Sequence, residues 1–248
     1  MRQLAIIGGT GAVDLLEGRQ ERSTETIWGL PSAPPVRVQL GDAAVWFLAR
    51  HGNPHRIAPH RVNYRANIAA LKDLGVTDVI AINAVGGVDP ALRPGALVVP
   101  DQLIDYTWGR ESTFADDGER PLVHVEFGRP FSQSLREALL KAAGGLALAV
   151  RDGGCCAVTQ GPRLETEAEV RRLAKDGATL VGMTSMPEAV LAREAGLDYA
   201  SLCVVANAAA GVVDEPISIE EIDRVLHGAM ASVRDLLGVL CQAMSNGS

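Results

Sequence analysis

The sequence predicts an α/β fold, and three observations carry the prediction. Short apolar runs rich in Val and Ile recur along the chain. Between them lie longer segments whose apolar residues repeat at roughly the helical period of 3.6. Several of those segments open on Asn, Ser or Thr, and Gly75, Gly144 and Gly196 stand where three of them stop. Strand and helix alternating in this way imply a mostly parallel sheet, whose ligand lies at the carboxyl ends of the strands.

The first run, Leu4–Ile7, leads into Gly8-Gly9-Thr10-Gly11. Small residues there permit a tight turn whose N–H groups and Thr hydroxyl approach a phosphate. The spacing is not G-x-G-x-x-G and no acidic residue closes a second strand, which argues against a dinucleotide site; a bare turn is the bland alternative. The second run, Val45–Leu48, ends in Arg50-His51-Gly52, and a helix is expected over Asn63–Leu74. The third, Val79–Ile82, delivers Asn83-Ala84-Val85-Gly86-Gly87, small residues against which a flat ligand can lie. Leu97–Val99 is a further strand, followed by a helix over Phe131–Ala143.

Ala157–Val158 then precedes Thr159-Gln160-Gly161-Pro162-Arg163-Leu164-Glu165 and a helix over Thr166–Lys175. Glu165 is either a favourable carboxylate beside a helix start or a ligand group. Leu180–Val181 leads into Gly182-Met183-Thr184-Ser185-Met186-Pro187-Glu188, hydroxyls meeting the start of a helix over Pro187–Ala195. Ser201–Val205 presents Asn207 among Ala208, Ala209 and Ala210, and a last helix covers Ile219–Met244.

Composition bounds the function. The 248 residues are 47% hydrophobic and 21% charged, which excludes disorder, collagen and coiled coil. No repeat or long linker divides them, so one domain over 1–248 is expected. Thirty acidic against 23 basic residues leave a net charge of −7, which speaks against nucleic acid or an anionic membrane as partner. No apolar run reaches the roughly 20 residues of a membrane span, and Met1-Arg2 runs directly into a strand, so a cytoplasmic protein is expected. The four Cys match neither a zinc spacing nor a C-x-x-C pair and read as buried thiols.

One stretch departs from this acidic background. Residues 43–72 hold Arg50, Arg56, Arg61, Arg65, Lys72, His51, His55 and His60 without one carboxylate. A guanidinium fork beside an imidazole suits an oxyanion. Metal is the weaker reading, since no acidic or thiolate partner is near in sequence. Arg50 and His51 carry the anion site in this reading, while His55, Arg56, His60 and Arg61 are assigned to a loop or subunit contact.

The strand ends together resemble the trimeric nucleoside phosphorylase family, which includes methylthioadenosine phosphorylase and the purine nucleoside phosphorylases. The resemblance spans nearly the whole chain, through Gly8-Gly9-Thr10-Gly11, Arg50-His51-Gly52, Asn63-Tyr64-Arg65-Ala66-Asn67, Asp101-Gln102-Leu103-Ile104-Asp105, Gly161-Pro162-Arg163, Gly182–Glu188 and Asn207. It implies a single-domain nucleoside phosphorylase fold with a twisted mixed β-sheet flanked by helices. It also implies a homotrimer, and cleavage of a purine nucleoside by inorganic phosphate without a metal or organic cofactor. It further implies that Thr10, Arg50, His51, Asn83, Ala84 and Thr184 hold phosphate, that Met183 faces the ribose, and that Glu165 and Asn207, with Ala208 and Ala209 beside them, meet the base.

Two departures narrow the substrate. The methylthioadenosine branch has aspartates in the places of Asn207 and Ala209 and a small hydroxyl residue in that of Glu165. Here Glu165 can accept from N1–H of a 6-oxopurine, and Asn207 can donate to O6 and accept from a protonated N7. After Asn207, however, Val212-Val213-Asp214-Glu215-Pro216-Ile217-Ser218-Ile219 is similar to the methylthio branch. Ile217 and Ile219 are either an apolar slot for a 5′-thiomethyl group or ordinary packing, and His124 matches a residue that branch supplies from the neighbouring subunit. The expected substrate is S-methyl-5′-thioinosine, cleaved to hypoxanthine and 5-methylthioribose 1-phosphate. A general inosine/guanosine phosphorylase, a methylthioadenosine phosphorylase and a non-catalytic purine- or phosphate-binding protein remain as alternatives.

Overall fold

The computed structural model describes residues 2–9, 12, 20–21, 25–116 and 118–246. Its eleven strands form one sheet: β1 Leu4–Gly8, β2 Gln20–Glu21, β3 Val36–Leu40, β4 Ala43–Ala49, β5 Asp78–Gly87, β6 Leu97–Val99, β7 Gln102–Asp105, β8 Val150–Asp152, β9 Cys155–Val158, β10 Leu180–Gly182 and β11 Asp198–Ala208. Five helices complete it: α1 Tyr64–Asp73, α2 Gln133–Gly145, α3 Glu167–Lys175, α4 Ser185–Glu194 and α5 Ile219–Asn246. No helix among the described residues is long and apolar enough to cross a membrane.

The sheet is more mixed than strand–helix alternation alone predicts. β1 lies parallel between β4 and β5, and β11 runs parallel to β5, but β10 meets β5 and β6 meets β11 antiparallel. Alternation along the strands sends side chains to two cores. Ile6, Ile80, Ile82, Leu202 and Val204 lie under α2 and α5, whereas Ala5, Ile7, Val79, Ala81 and Cys203 face α1 and α4.

Helices α1 and α3 open on capping side chains. The Asn63 side chain accepts from the Ala66 N–H to open α1. Thr166 and Glu169 form a reciprocal capping box on α3. In α4, Met186 is non-helical (φ −119°, ψ 134°), so the regular helix begins at Pro187. Gly75 and Gly196 end their helices with positive φ, but Gly144 does not stop α2, which runs on to Gly145. There Ala147 adopts the left-handed conformation (φ 51°), and the Leu148 N–H closes back on the Ala143 carbonyl. The four cysteines form no disulfide: Cys156, Cys203 and Cys241 are buried and Cys155 is half-buried.

Two irregularities shape the ligand side. β1 pairs with β5 only from Asp78 to Ile82, and β10 takes the same edge only at Gly86 and Gly87, leaving a split beside Asn83–Val85. On the other edge, the register between β11 and β5 shifts between Val205 and Asn207, so Ala206 is an extra residue that sets Asn207 opposite Gly86.

Candidate active site

A cavity of about 550 Å³ opens at this split. Its floor is Ala84, the one exposed residue of β5. The Ile82 carbonyl accepts from Arg50 Nη1 on the split side (3.1 Å), so two residues on, the Ala84 N–H and C=O face the same open edge. An anion there meets a backbone donor free of the ladder.

Arg50 is 1% exposed and emerges from the end of β4. It grips Glu188, itself fully buried, through Nε to Oε2 (2.6 Å) and Nη2 to Oε1 (2.8 Å), and Tyr199 Oη donates to the same carboxylate (2.9 Å). Burial opposes the Arg50 charge, but Glu188 outweighs it and holds the guanidinium protonated. Two of its five N–H groups remain for a ligand. The basic stretch therefore lacks a carboxylate in sequence but not in space, because α4 supplies one from 138 residues away.

His51 lies beside it, and a Cβ on Gly9 would fall 3.2 Å from Arg50 Nη1 and 3.9 Å from His51 Nε2. The turn after β1 thus presses bare backbone against both groups. The Ile57 carbonyl, which can only accept, lies 2.7 Å from His51 Nδ1, so Nδ1 carries the proton. Burial, and then the charge of Arg50, push the imidazole pKa down to about 4. Its Nε2 consequently offers a lone pair at neutral pH. The neutral His51 ring thus faces an oxyanion as an acceptor, suited to a protonated phosphate oxygen.

The hydroxyl of Thr184, where β10 passes into α4, also lines the cavity and donates to Asn83 Oδ1 (3.2 Å). Asn83 itself does not reach the cavity. It alternates to the opposite side of β5 from Ala84 and donates to Ser201 Oγ (2.6 Å) and Ser185 Oγ (3.3 Å), so it aims Thr184 from behind. Thr10 lies outside the described residues.

On the far side, Glu165 and Asn207 reach the cavity from different elements. Glu165 Oε1 accepts from Thr159 Oγ1 (2.6 Å), and one Nδ2 proton of Asn207 goes to the Ala208 carbonyl (2.7 Å). The second proton and Oδ1 of Asn207 stay available. Ala209 lines this wall, but Ala208, placed by alternation on the other side, belongs to a separate cavity of about 210 Å³. Met183 lines the wall between the two ends and packs under Gly161, whose φ is +57° and where an added Cβ would fall 2.5 Å from the Met183 sulfur.

Ile217 and Ile219 line the third end together with Ile222, a residue the sequence reading passed over. His55 and Arg56, assigned there to loop or subunit contact, also stand on this wall. His55 stacks on His51 at 4.5 Å, which buries it enough to lower its pKa against the pull of Asp223. His60 and Arg61 lie in a short 3-10 turn, Pro59–Arg61, away from the wall. His124 is exposed on a separate loop and does not reach the cavity of its own chain. Among the described residues, no cluster of three His, Cys, Asp or Glu side chains is arranged to hold a metal ion.

The profile describing the phosphorylase superfamily matches residues 3–239. The chain belongs to the phosphorylase superfamily. It is 55% identical over 214 residues to a probable S-methyl-5′-thioinosine phosphorylase of Xylella fastidiosa, covering 85% of this chain and 90% of the relative. It is 42% identical to a 6-oxopurine nucleoside phosphorylase of Pyrococcus furiosus, over 90% of this chain and 85% of that one. A crystal structure of methylthioadenosine phosphorylase from Schistosoma mansoni in complex with adenine superposes with a TM-score of 0.91 at 33% identity, covering 99% and 93% of the two chains. In this superfamily member the split in the sheet, the buried Arg50–Glu188 pair and the Glu165/Asn207 wall share one cavity.

Proposed function

We propose that the protein cleaves S-methyl-5′-thioinosine with inorganic phosphate, releasing hypoxanthine and 5-methylthioribose 1-phosphate. The observation that carries this reading is the pairing of Glu165 and Asn207 on one wall, with Ala209 where an acid would be needed to read adenine. Glu165 accepts from N1–H; Asn207 donates to O6 and accepts from N7–H. Thr10, Arg50, His51, the Ala84 N–H and Thr184 hold phosphate, with Asn83 orienting Thr184, and Met183 backs the ribose.

Catalysis in this scheme is positional and electrostatic. As the C1′–N9 bond stretches, its electron pair moves into the purine, N7 takes a proton from solvent water, and Asn207 Oδ1 accepts from the resulting N7–H of the now neutral leaving base. A phosphate oxygen forms the new bond to C1′ from the opposite face, with inversion. The anion beside the developing oxocarbenium lowers its energy, and no metal or organic cofactor enters the scheme. Ile217, Ile219 and Ile222 receive the thiomethyl group. The reading includes a single domain over 1–248, a cytoplasmic location and a homotrimer in which a neighbouring copy contributes His124. The exposed Leu122 and Val123 beside it (67% and 53%) support such a contact.

A second reading, a general 6-oxopurine nucleoside phosphorylase, draws on His55 and Asp223, which stand on the same cavity wall as Ile219 and can bind a 5′-hydroxyl. Base release from S-methyl-5′-thioinosine, S-methyl-5′-thioadenosine and inosine, each with and without phosphate, decides between them. The first reading requires phosphate-dependent release fastest from methylthioinosine. Equal rates on inosine establish the second, and preference for methylthioadenosine overturns the base assignment of both.

A further inference from the structure

Beyond Thr159 and Gly182, β9 and β10 part. Their last tie is the Thr159 N–H to the Gly182 carbonyl (2.8 Å), after which one chain turns towards Glu165 and the other towards Thr184. Arg110 fills the fork. It comes from a stretch after β7 that has neither strand nor helix, and nothing in the reading above assigns it a role.

We propose that Arg110 is a positioning residue that couples the base-reading wall to the ribose–phosphate wall. The inference rests on the reading that Glu165 recognises the base. Arg110 Nη2 donates to the carbonyls of Thr159 (3.2 Å) and Gln160 (2.8 Å), and Nε donates to Gln160 Oε1 (3.2 Å). Nη1 donates across the fork to the carbonyls of Met183 (2.8 Å) and Met186 (2.5 Å). The guanidinium sits 5.7 Å from the centre of the Tyr64 ring. No carboxylate among the described residues pairs with it, so its charge is met almost entirely by carbonyl oxygens of two loops. Burial lowers its pKa accordingly, against the weaker pull of Tyr64 and Asp105.

Each loop ends at a ligand-facing group. On one side the carbonyl of Thr159 is held by Arg110 while its hydroxyl donates to Glu165 Oε1 at 2.6 Å, so fixing Thr159 fixes the carboxylate. On the other side Met183 and Met186 flank Thr184 on the cavity wall. A planar fork with five donors spans both loops at once, whereas a lysine concentrates its donors at one point and cannot. Gln160 extends the splint, because its amide donates to the Trp108 carbonyl (3.0 Å) and accepts from the Trp108 N–H (3.3 Å), two residues before Arg110.

The test measures kcat/KM on S-methyl-5′-thioinosine and S-methyl-5′-thioadenosine, the phosphate KM and the Tm for wild type, Arg110→Ala, Arg110→Lys, Thr159→Val and the double variant Arg110→Ala/Thr159→Val. Arg110→Ala is expected to lower the oxopurine-to-aminopurine ratio about tenfold and raise the phosphate KM by a similar factor, and Arg110→Lys restores neither. Thr159→Val lowers the ratio alone, and the double variant is no worse than Arg110→Ala. A fall in Tm with the ratio and phosphate KM unchanged reduces Arg110 to a structural role and overturns the proposal. If Arg110→Ala does not fold, Arg110→Lys is judged by the same criterion, and an unchanged ratio in Thr159→Val breaks the link to Glu165 by itself. A wild-type enzyme with no preference between the two bases refutes the base reading instead, an outcome distinct from failure of the Arg110 link.

Discussion

Two of the three ends of the cavity are built on opposite principles. At the end proposed to hold phosphate, Arg50, Glu188, Tyr199, Asn83 and Ser201 are all buried and bonded to one another or to strand backbone. At the end proposed for the 5′ group, Ile217 is half-buried in the connection into α5 and Ile219, the first residue of that helix, is 59% exposed. The polar groups of the buried end fix one another's geometry, because each depends on another. The open end is defined by a few apolar contacts that can change without disturbing the sheet. An invariant co-substrate and an adjustable nucleoside fit that division.

The comparison is broken most severely at Glu188. Glu188→Ala leaves Arg50 charged and unpaired in the core, with an expected loss of about 3–5 kcal/mol in chemical denaturation and of phosphorolysis with it. The double replacement Arg50→Met/Glu188→Leu sharpens the point: it is expected to recover most of the stability and none of the activity.

Next in size is the base wall. Asn207→Asp with Glu165→Ser is expected to shift the kcat/KM ratio towards 6-aminopurine nucleosides by roughly 10²-fold or more, since each wrong edge leaves a buried polar group unpaired. An unchanged ratio means that another residue reads the base.

His51 tests the buried end through pH. Its folded pKa of about 4 lies below the ordinary 6.5, so the unfolded chain binds the proton first. Stability is therefore full above about pH 6.5 and falls as pH drops towards 4, by up to about 3 kcal/mol if this group acts alone. Denaturation of wild type and His51→Asn across that window checks it; a difference between them that does not vary with pH removes His51 as the cause.

The smallest effect belongs to the open end. Ile219→Ser is expected to lower the preference for a 5′-methylthio group over a 5′-hydroxyl by a few-fold, about 1 kcal/mol, with the Tm little changed.

Much of this was legible in the chain because hydrophobic period is a local property. The runs at Leu4–Ile7 and Val79–Ile82 sit inside β1 and β5, and Thr166, where a helix was expected to open, caps α3. What escaped depends on distant partners. β3 alternates Val36, Val38 and Leu40 with polar residues, a half-buried pattern that a search for continuous apolar runs passes over. The antiparallel placement of β10 and the Arg50–Glu188 pair join segments far apart in sequence, so no local window contains them. His55 does lie in a loop, but its place on the cavity wall escaped because its stacking on His51 depends on how the chain folds back after Gly52. Arg110 lies in a stretch with no periodicity, and its only signal is a lone cation between Gly109 and Glu111.

The split beside Ala84 has one more consequence. A sheet edge left open in a protein's middle is an invitation to strand pairing, which ordinary folds suppress by covering or charging it. Here Arg50 occupies one rung, at the Ile82 carbonyl, and in the proposed reaction phosphate takes the next, at the Ala84 N–H. The co-substrate then serves as a removable rung of the sheet, so that turnover alternately completes and reopens the architecture that holds it.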